Sequence, residues 1–160
     1  MDRAQGEQEI SGPNAVNLSP HFTLSDFTFS ETAVRRGIDN TPDSEALDNL
    51  HTLAAGLEQV RYLLDAPIHV TSGYRSAKLN SAIGSSPTSD HVRGYAADFV
   101  CPGFGSPTEI CRAIRDSDIA YGQLIDEGAW AHISFAPEWK KSMLTAHFKD
   151  GKVTYTQGIG

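Results

Sequence analysis

An imidazole and a carboxylate stand seven residues apart in the stretch Ser89-Asp90-His91-Val92-Arg93-Gly94-Tyr95-Ala96-Ala97-Asp98. Histidine nitrogen and carboxylate oxygen are ordinary zinc ligands, and a catalytic zinc takes three protein ligands and keeps one position open. His91 and Asp98 therefore read as part of a metal site. No straight element brings them to one ion. In a helix they lie roughly 10 Å apart along the axis, and in a strand positions seven apart face opposite sides. The chain has to turn between them, and Gly94 is the residue that permits it. Ala96 and Ala97 are small enough to admit other backbone or a ligand. Taken alone, the pattern fits a loop histidine and a surface aspartate equally well.

A third ligand would come from His21, His51, His69, His132 or His147. His51 falls within a helical pattern beside its apolar stripe, and His69 alternates away from Ile68 and Val70. His132 shares one strand face with Trp130 and Ser134, while Ala131, Ile133 and Phe135 share the other. A polar histidine face opposite an apolar one is the pattern of a strand that lines a cleft, and also of a solvated edge strand.

Hydrolysis at a metal also needs a general base for the attacking water. Asp126 and Glu127 are the nearby carboxylates. With Gly128-Ala129 as a two-residue turn, Glu127 pairs with Trp130, Ile125 with His132 and Gln123 with Ser134. Paired side chains share a face, so Glu127 joins His132 and Asp126 goes to the opposite side. An odd-numbered loop would reverse the assignment. Arg75, in Ser72-Gly73-Tyr74-Arg75-Ser76, is a guanidinium on a glycine-bent loop and suits bidentate binding of a carboxylate.

The elements that must position these groups follow from periodicity. Residues 1–20 are polar and read as an N-terminal arm with little regular structure. Ser30 caps a short helix that Gly37 closes. A long helix opens at Thr41-Pro42, carries a stripe of Leu47, Leu50, Leu53, Ala54, Leu57, Val60 and Leu64, and stops before Pro67. Residues 68–72 and 96–100 read as strands. Residues 76–83 read as one or two helical turns, and Ser106-Pro107-Thr108-Glu109 as a capping box that starts a helix. Hairpins are expected at 123–127 with 130–135, and at 144–148 with 152–156 around Asp150-Gly151. Helices first and mainly strands afterwards predict an α+β fold, with a central antiparallel sheet and helices packed on it.

The 160 residues suit one domain with one core. The formal charge of −7 and the lack of a basic stripe argue against a nucleic-acid partner. No apolar run is long enough to span a bilayer, so membrane insertion is not expected. The N-terminus lacks the apolar segment of a signal peptide, which predicts synthesis in the cytoplasm unless a leader has been trimmed. Cys101 and Cys111 read as free, partly buried thiols rather than a disulfide across a short loop.

Taken together, Ser72-Gly73-Tyr74-Arg75-Ser76, Leu79-Asn80, Ser89-x-His91-x-x-Gly94-x-Ala96-x-Asp98 and Trp130-x-His132-x-Ser134 resemble the zinc D-Ala-D-Ala carboxypeptidases and related peptidoglycan peptidases. These share their fold with the hedgehog signalling domain. The likeness spans roughly residues 22–157. It implies one zinc peptidase domain over 21–160, with Zn2+ held by His91, Asp98 and His132. Arg75 matches the arginine that contacts a substrate carboxylate, Ser89 matches the motif serine that shapes the substrate pocket, and Trp130 would form a pocket wall. Gln123-Leu124-Ile125-x-Glu127 is similar to the form found in phage and prophage members. Many relatives carry the catalytic carboxylate three residues before the last histidine, where this chain has Ala129, so the role of base passes to Glu127.

The resemblance thus implies a monomeric metallopeptidase hydrolysing amide bonds of peptidoglycan stem peptides, as carboxypeptidase or endopeptidase. It would act on the cell wall as a phage endolysin, after phage-mediated release, or from a virion. The Ala129 departure leaves a second expectation. This is a zinc-containing cell-wall recognition module or virion component without turnover.

Overall fold

In a computed structural model, residues 16–160 are described. Most of the expected arm (1–20) therefore lies outside the described residues. Its last part is not irregular, because β1 (Asn17–Ser19) pairs antiparallel with β2 (Phe22–Thr23). The pair is anchored by Glu58, whose carboxylate accepts from the Ser19 hydroxyl at 2.6 Å and the His21 main-chain N–H at 2.6 Å.

Two short helices follow, α1 (Leu24–Thr28) and α2 (Glu31–Arg36), capped by Thr23 and Ser30. The long helix α3 (Ser44–Leu64) starts later than the Thr41-Pro42 pattern predicts. Asp43 is its N-cap, accepting from the Ala46 N–H at 2.8 Å. A carboxylate caps strongly and complements the helix dipole, while Thr41 is held back by its own main-chain bond to Asp39. The helix ends with Asp65 in the left-handed region, two residues before Pro67. Leu50, Leu53, Ala54, Leu57 and Val60 are fully buried, whereas Leu47 at the edge of the stripe is only partly so.

The remaining elements are β3 (His69–Ser72), α4 (Ala77–Ala82), α5 (Asp90–Arg93), β4 (Ala96–Val100), α6 (Pro107–Arg115), β5 (Gln123–Asp126), β6 (Ala131–Ser134), β7 (Ser142–Lys149) and β8 (Lys152–Gln157). Six of the strands form one sheet in the order β3-β4-β6-β5-β7-β8. All neighbours are antiparallel except β5 and β7, which run parallel. A wholly antiparallel sheet is therefore not what forms. Residues 135–141, with Pro137 inside, are too long for a tight turn and carry the chain past β5 before β7 begins. The fold is α+β, with helices packed on a six-stranded sheet.

Strand alternation divides the sheet into two faces. Ala97, Phe99, Ala131, Ile133 and Leu124 join the core with α3 and with Ile110, Cys111 and Ile114 of α6. Asp98, His132 and Ile125 point the other way. Both cysteines are buried and unpaired, and burial pushes the Cys111 thiol up to about 12. No described helix is long and apolar enough to cross a membrane.

Gly94 makes the turn that the sequence requires. It sits at φ +85, and a Cβ there would stand 2.7 Å from the Ala46 carbonyl oxygen of α3. Gly94→Ala is expected to lose about 2 kcal/mol from backbone strain alone, roughly 4–8 °C in Tm at this chain length. The overlap with α3 adds to that loss. Gly84→Ala is the control, since Gly84 also has positive φ but no atom within 4 Å of the added carbon. Thermal melts in which both variants fall equally would remove the role of the close approach.

Candidate metal centre

One residue from each strand forms a row across the whole sheet. Ser72 pairs with Asp98, Asp98 with His132, His132 with Ile125, Ile125 with Leu144, and Leu144 with Gln157. Asp98 and His132 therefore stand side by side on the face away from the helices. His91 arrives from α5, a single helical turn capped by Ser89, whose hydroxyl accepts from the His91 N–H at 3.2 Å. Asp90 ties this turn to the sheet by accepting from the Ser134 hydroxyl and the Trp139 indole N–H, both at 2.7 Å.

The imidazole of His91 is oriented by a main-chain carbonyl. Its Nδ1 lies 2.7 Å from the Gly73 oxygen. A carbonyl only accepts, so Nδ1 carries the proton and Nε2 offers its lone pair. This is the arrangement that outer partners impose on metal-binding histidines. Gly73 is itself pressed on α1, where a Cβ would meet the Phe27 oxygen at 2.6 Å.

The three groups converge. His91 Nε2 lies 3.4 Å from Asp98 Oδ1, and His132 Nδ1 lies 2.9 Å from the same oxygen. The rings meet edge to face with centroids 5.2 Å apart. All three residues offer a ligand atom within 4.8 Å of the others. Two ligand atoms on one tetrahedral zinc stand about 3.3 Å apart. The first spacing already fits, and the second is the short contact of a proton that a cation would replace. Two imidazole nitrogens and one carboxylate oxygen are a donor set suited to zinc, so the residues fit the ion.

Electrostatics agree with that chemistry. Burial holds His91 neutral, with its pKa pushed below the usual imidazole value against the pull of Asp98. Burial opposes charge on Asp98, but the neighbouring imidazoles outweigh it and hold its carboxyl below the ordinary carboxylate range. A consequence concerns the metal-free protein. Unfolded His91 takes up a proton below about pH 6.5, and folded His91 does so only at lower pH. The unfolded state then binds more protons, so stability falls as pH drops through that window. Metal-free melts from pH 7 to pH 5 are expected to decline, by at most about 1.4 kcal/mol per pH unit from this group. His91→Gln should flatten the slope, and an unchanged slope would assign the effect elsewhere.

Glu127 and Asp126 go to opposite sides. The Glu127 N–H donates to the Trp130 carbonyl at 3.0 Å, continuing the register in which Ile125 faces His132. Glu127 thus shares the face of the triad. Burial raises its pKa, His132 opposes, and Asp98 and Asp126 add to the rise. Asp126 is buried towards α6, accepting from the Thr108 hydroxyl at 2.6 Å and the Gly128 N–H at 3.0 Å.

Arg75 stands at the other end of the same cleft, which has a volume of about 540 Å³ and is lined also by His91, Asp98, Glu127, Trp130 and His132. Its guanidinium is held by Asn80 at 2.9 Å, Ser72 at 3.0 Å, Ser89 at 3.4 Å and Ser85 at 3.5 Å. No carboxylate of the described residues forms an ion pair with it. Ser89 lines the cleft as well, but its contacts are to the His91 turn and to Arg75.

Residues 20–134, more than half of the chain, match the sequence model of Peptidase M15. The chain belongs to the Peptidase M15 family. M15 peptidases are zinc-dependent, and His91, Asp98 and His132 form a cluster that could hold such an ion. No curated protein sequence matches the chain.

The other histidines of this M15 peptidase are elsewhere. His21 is bound to Glu58 at 2.8 Å, His51 and His69 are exposed, and His147 bonds Thr156 at 2.8 Å. Sequence reasoning missed four contributing residues. Asp90 lies inside the opening motif, and only the fold reveals what it braces. Phe148, Val153 and Tyr155 line the cleft from the last hairpin. The alternation of Ala146 and Phe148 against Val153 and Tyr155 was the available signal, since these positions share one hairpin face.

Proposed function

We propose that this M15 peptidase hydrolyses amide bonds of peptidoglycan stem peptides, removing a terminal D-alanine beside a free carboxylate. The supporting observation is Arg75, a partly buried guanidinium fixed by neutral partners and open to a substrate carboxylate in the cleft that holds the triad. A cation held in place by Asn80 and serines is preorganised for bidentate binding.

His91, Asp98 and His132 would hold the zinc. The chemistry zinc supplies when bound is polarisation of the scissile carbonyl and acidification of the attacking water. Glu127 takes the water proton and returns it to the leaving amine. Its raised pKa brings the carboxylate closer to the range in which both transfers are efficient. Trp130 forms a wall of the cleft. The protein works as a monomer on the wall, and the Gln123-Leu124-Ile125-x-Glu127 form favours delivery by a phage.

The test is mass spectrometry of products from defined muropeptides incubated with zinc-loaded protein. Loss of one terminal alanine is the expected result. Cleavage inside the stem or cross-bridge would make the protein an endopeptidase. Intact substrates with zinc bound would leave the non-catalytic module as the reading.

A further inference from the structure

The hairpin of β7 and β8 lies beyond residue 134, where the family match ends, yet it forms one side of the cleft. Its register explains how. Asp126 pairs with Ala131 on one side and Thr145 on the other, so the next residue, Glu127, stands level with Ala146. Ala146 pairs in turn with Tyr155. Glu127, Ala146 and Tyr155 thus share one row and one face. The methyl group of Ala146 leaves the space between the carboxylate and the phenol ring open.

We propose that Tyr155 is a further catalytic residue of this peptidase, whose phenol O–H donates to the scissile carbonyl oxygen as that oxygen becomes negative. The proposal rests on the hydrolytic reading given above.

Three observations carry it. Tyr155 lines the cleft together with His91, Asp98, Glu127 and His132 while remaining 48% exposed, so a substrate reaches it. Its hydroxyl has no hydrogen-bond partner among the described residues. The serine hydroxyls at the Arg75 end of the cleft are engaged as acceptors of its guanidinium, Ser85 at 3.5 Å and Ser89 at 3.4 Å, and Ser86 and Thr88 bond each other. The indole N–H of Trp130 also lacks a partner there, but that nitrogen is buried. Finally, burial raises the phenol pKa and the negative charges of Glu127 and Asp98 raise it further. The hydroxyl thus feels both carboxylates of the site and stays a donor at neutral pH. A donor placed where charge develops stabilises the transition state more than the ground state.

Tyr155→Phe keeps the ring, and with it the wall of the cleft, and removes only the donor. In zinc-loaded full-length protein it is expected to lower kcat by at least about 10-fold, short of or near the roughly 100-fold of an enclosed donor. KM should stay within about twofold, because the bond strengthens only in the transition state. A phosphinate analogue of D-alanyl-D-alanine, tetrahedral at the scissile position, should bind the variant weaker by a similar factor in calorimetry. Unchanged kcat and unchanged analogue binding would overturn the proposal and leave the hydrolytic reading intact. A wild type that cleaves no stem peptide would instead sink that reading. Analogue binding then still decides for or against the Tyr155 contact.

Discussion

Glu127→Gln is expected to abolish most turnover, lowering kcat by about 10²–10⁴-fold while bound zinc stays at one per chain. That range is what a positioned general acid–base group contributes. The amide keeps the size of the carboxylate and removes only its capacity to take a proton. Glu127 makes no side-chain hydrogen bond to His91, Asp98 or His132, so the ligand geometry survives the change. The matching control is Asp126→Asn. Asp126 accepts from Thr108 and Gly128 on the helix side of the sheet, so its loss should appear in Tm and leave kcat largely unaltered. Steady-state kinetics with metal analysis on both variants decides between them. Full activity in Glu127→Gln would transfer the proton to another group.

Asp98→Ala acts one step earlier, at the metal. Loss of outer partners alone weakens metal sites about 10–100-fold, so loss of a ligand should weaken zinc binding by more than about 100-fold. Hydrolysis should disappear with the ion. The fold should persist, because the bonds joining β4 to β3 and β6 are main-chain bonds that the side chain does not make. Circular dichroism of the wild-type form together with substoichiometric zinc is the expected combination. Stoichiometric zinc in Asp98→Ala would place the ion elsewhere. Glu127→Gln and Asp98→Ala therefore separate proton transfer from metal binding, one keeping the zinc and the other losing it.

What was legible in the sequence was local chemistry. The need for a bend between His91 and Asp98 followed from element geometry, and Gly94 provides it at φ +85. The side taken by Glu127 followed from a two-residue turn, whose pairing of Ile125 with His132 is observed. Less legible was whatever depended on competition or distance. Asp43 displaced Thr41 as cap because a carboxylate caps strongly and the main chain at Thr41 is already bound to Asp39. The parallel entry of β7 beside β5 depends on the path of residues 135–141, which carries no periodic signal. Asp90 braces Ser134 and Trp139 across more than forty positions, and nothing local announces such a partner.

The sheet order gives the site an uneven rigidity. Asp98 and His132 lie on β4 and β6, each flanked by strands on both sides and backed by α3 and α6. Tyr155 lies on β8, an edge strand with no buried residue along its length. Local opening free energies in a protein run from near zero at such edges to the global value in the core. Amide exchange should accordingly release β8 long before β4 and β6. The Val153 and Tyr155 side of the cleft can then loosen while the ligand strands stay closed.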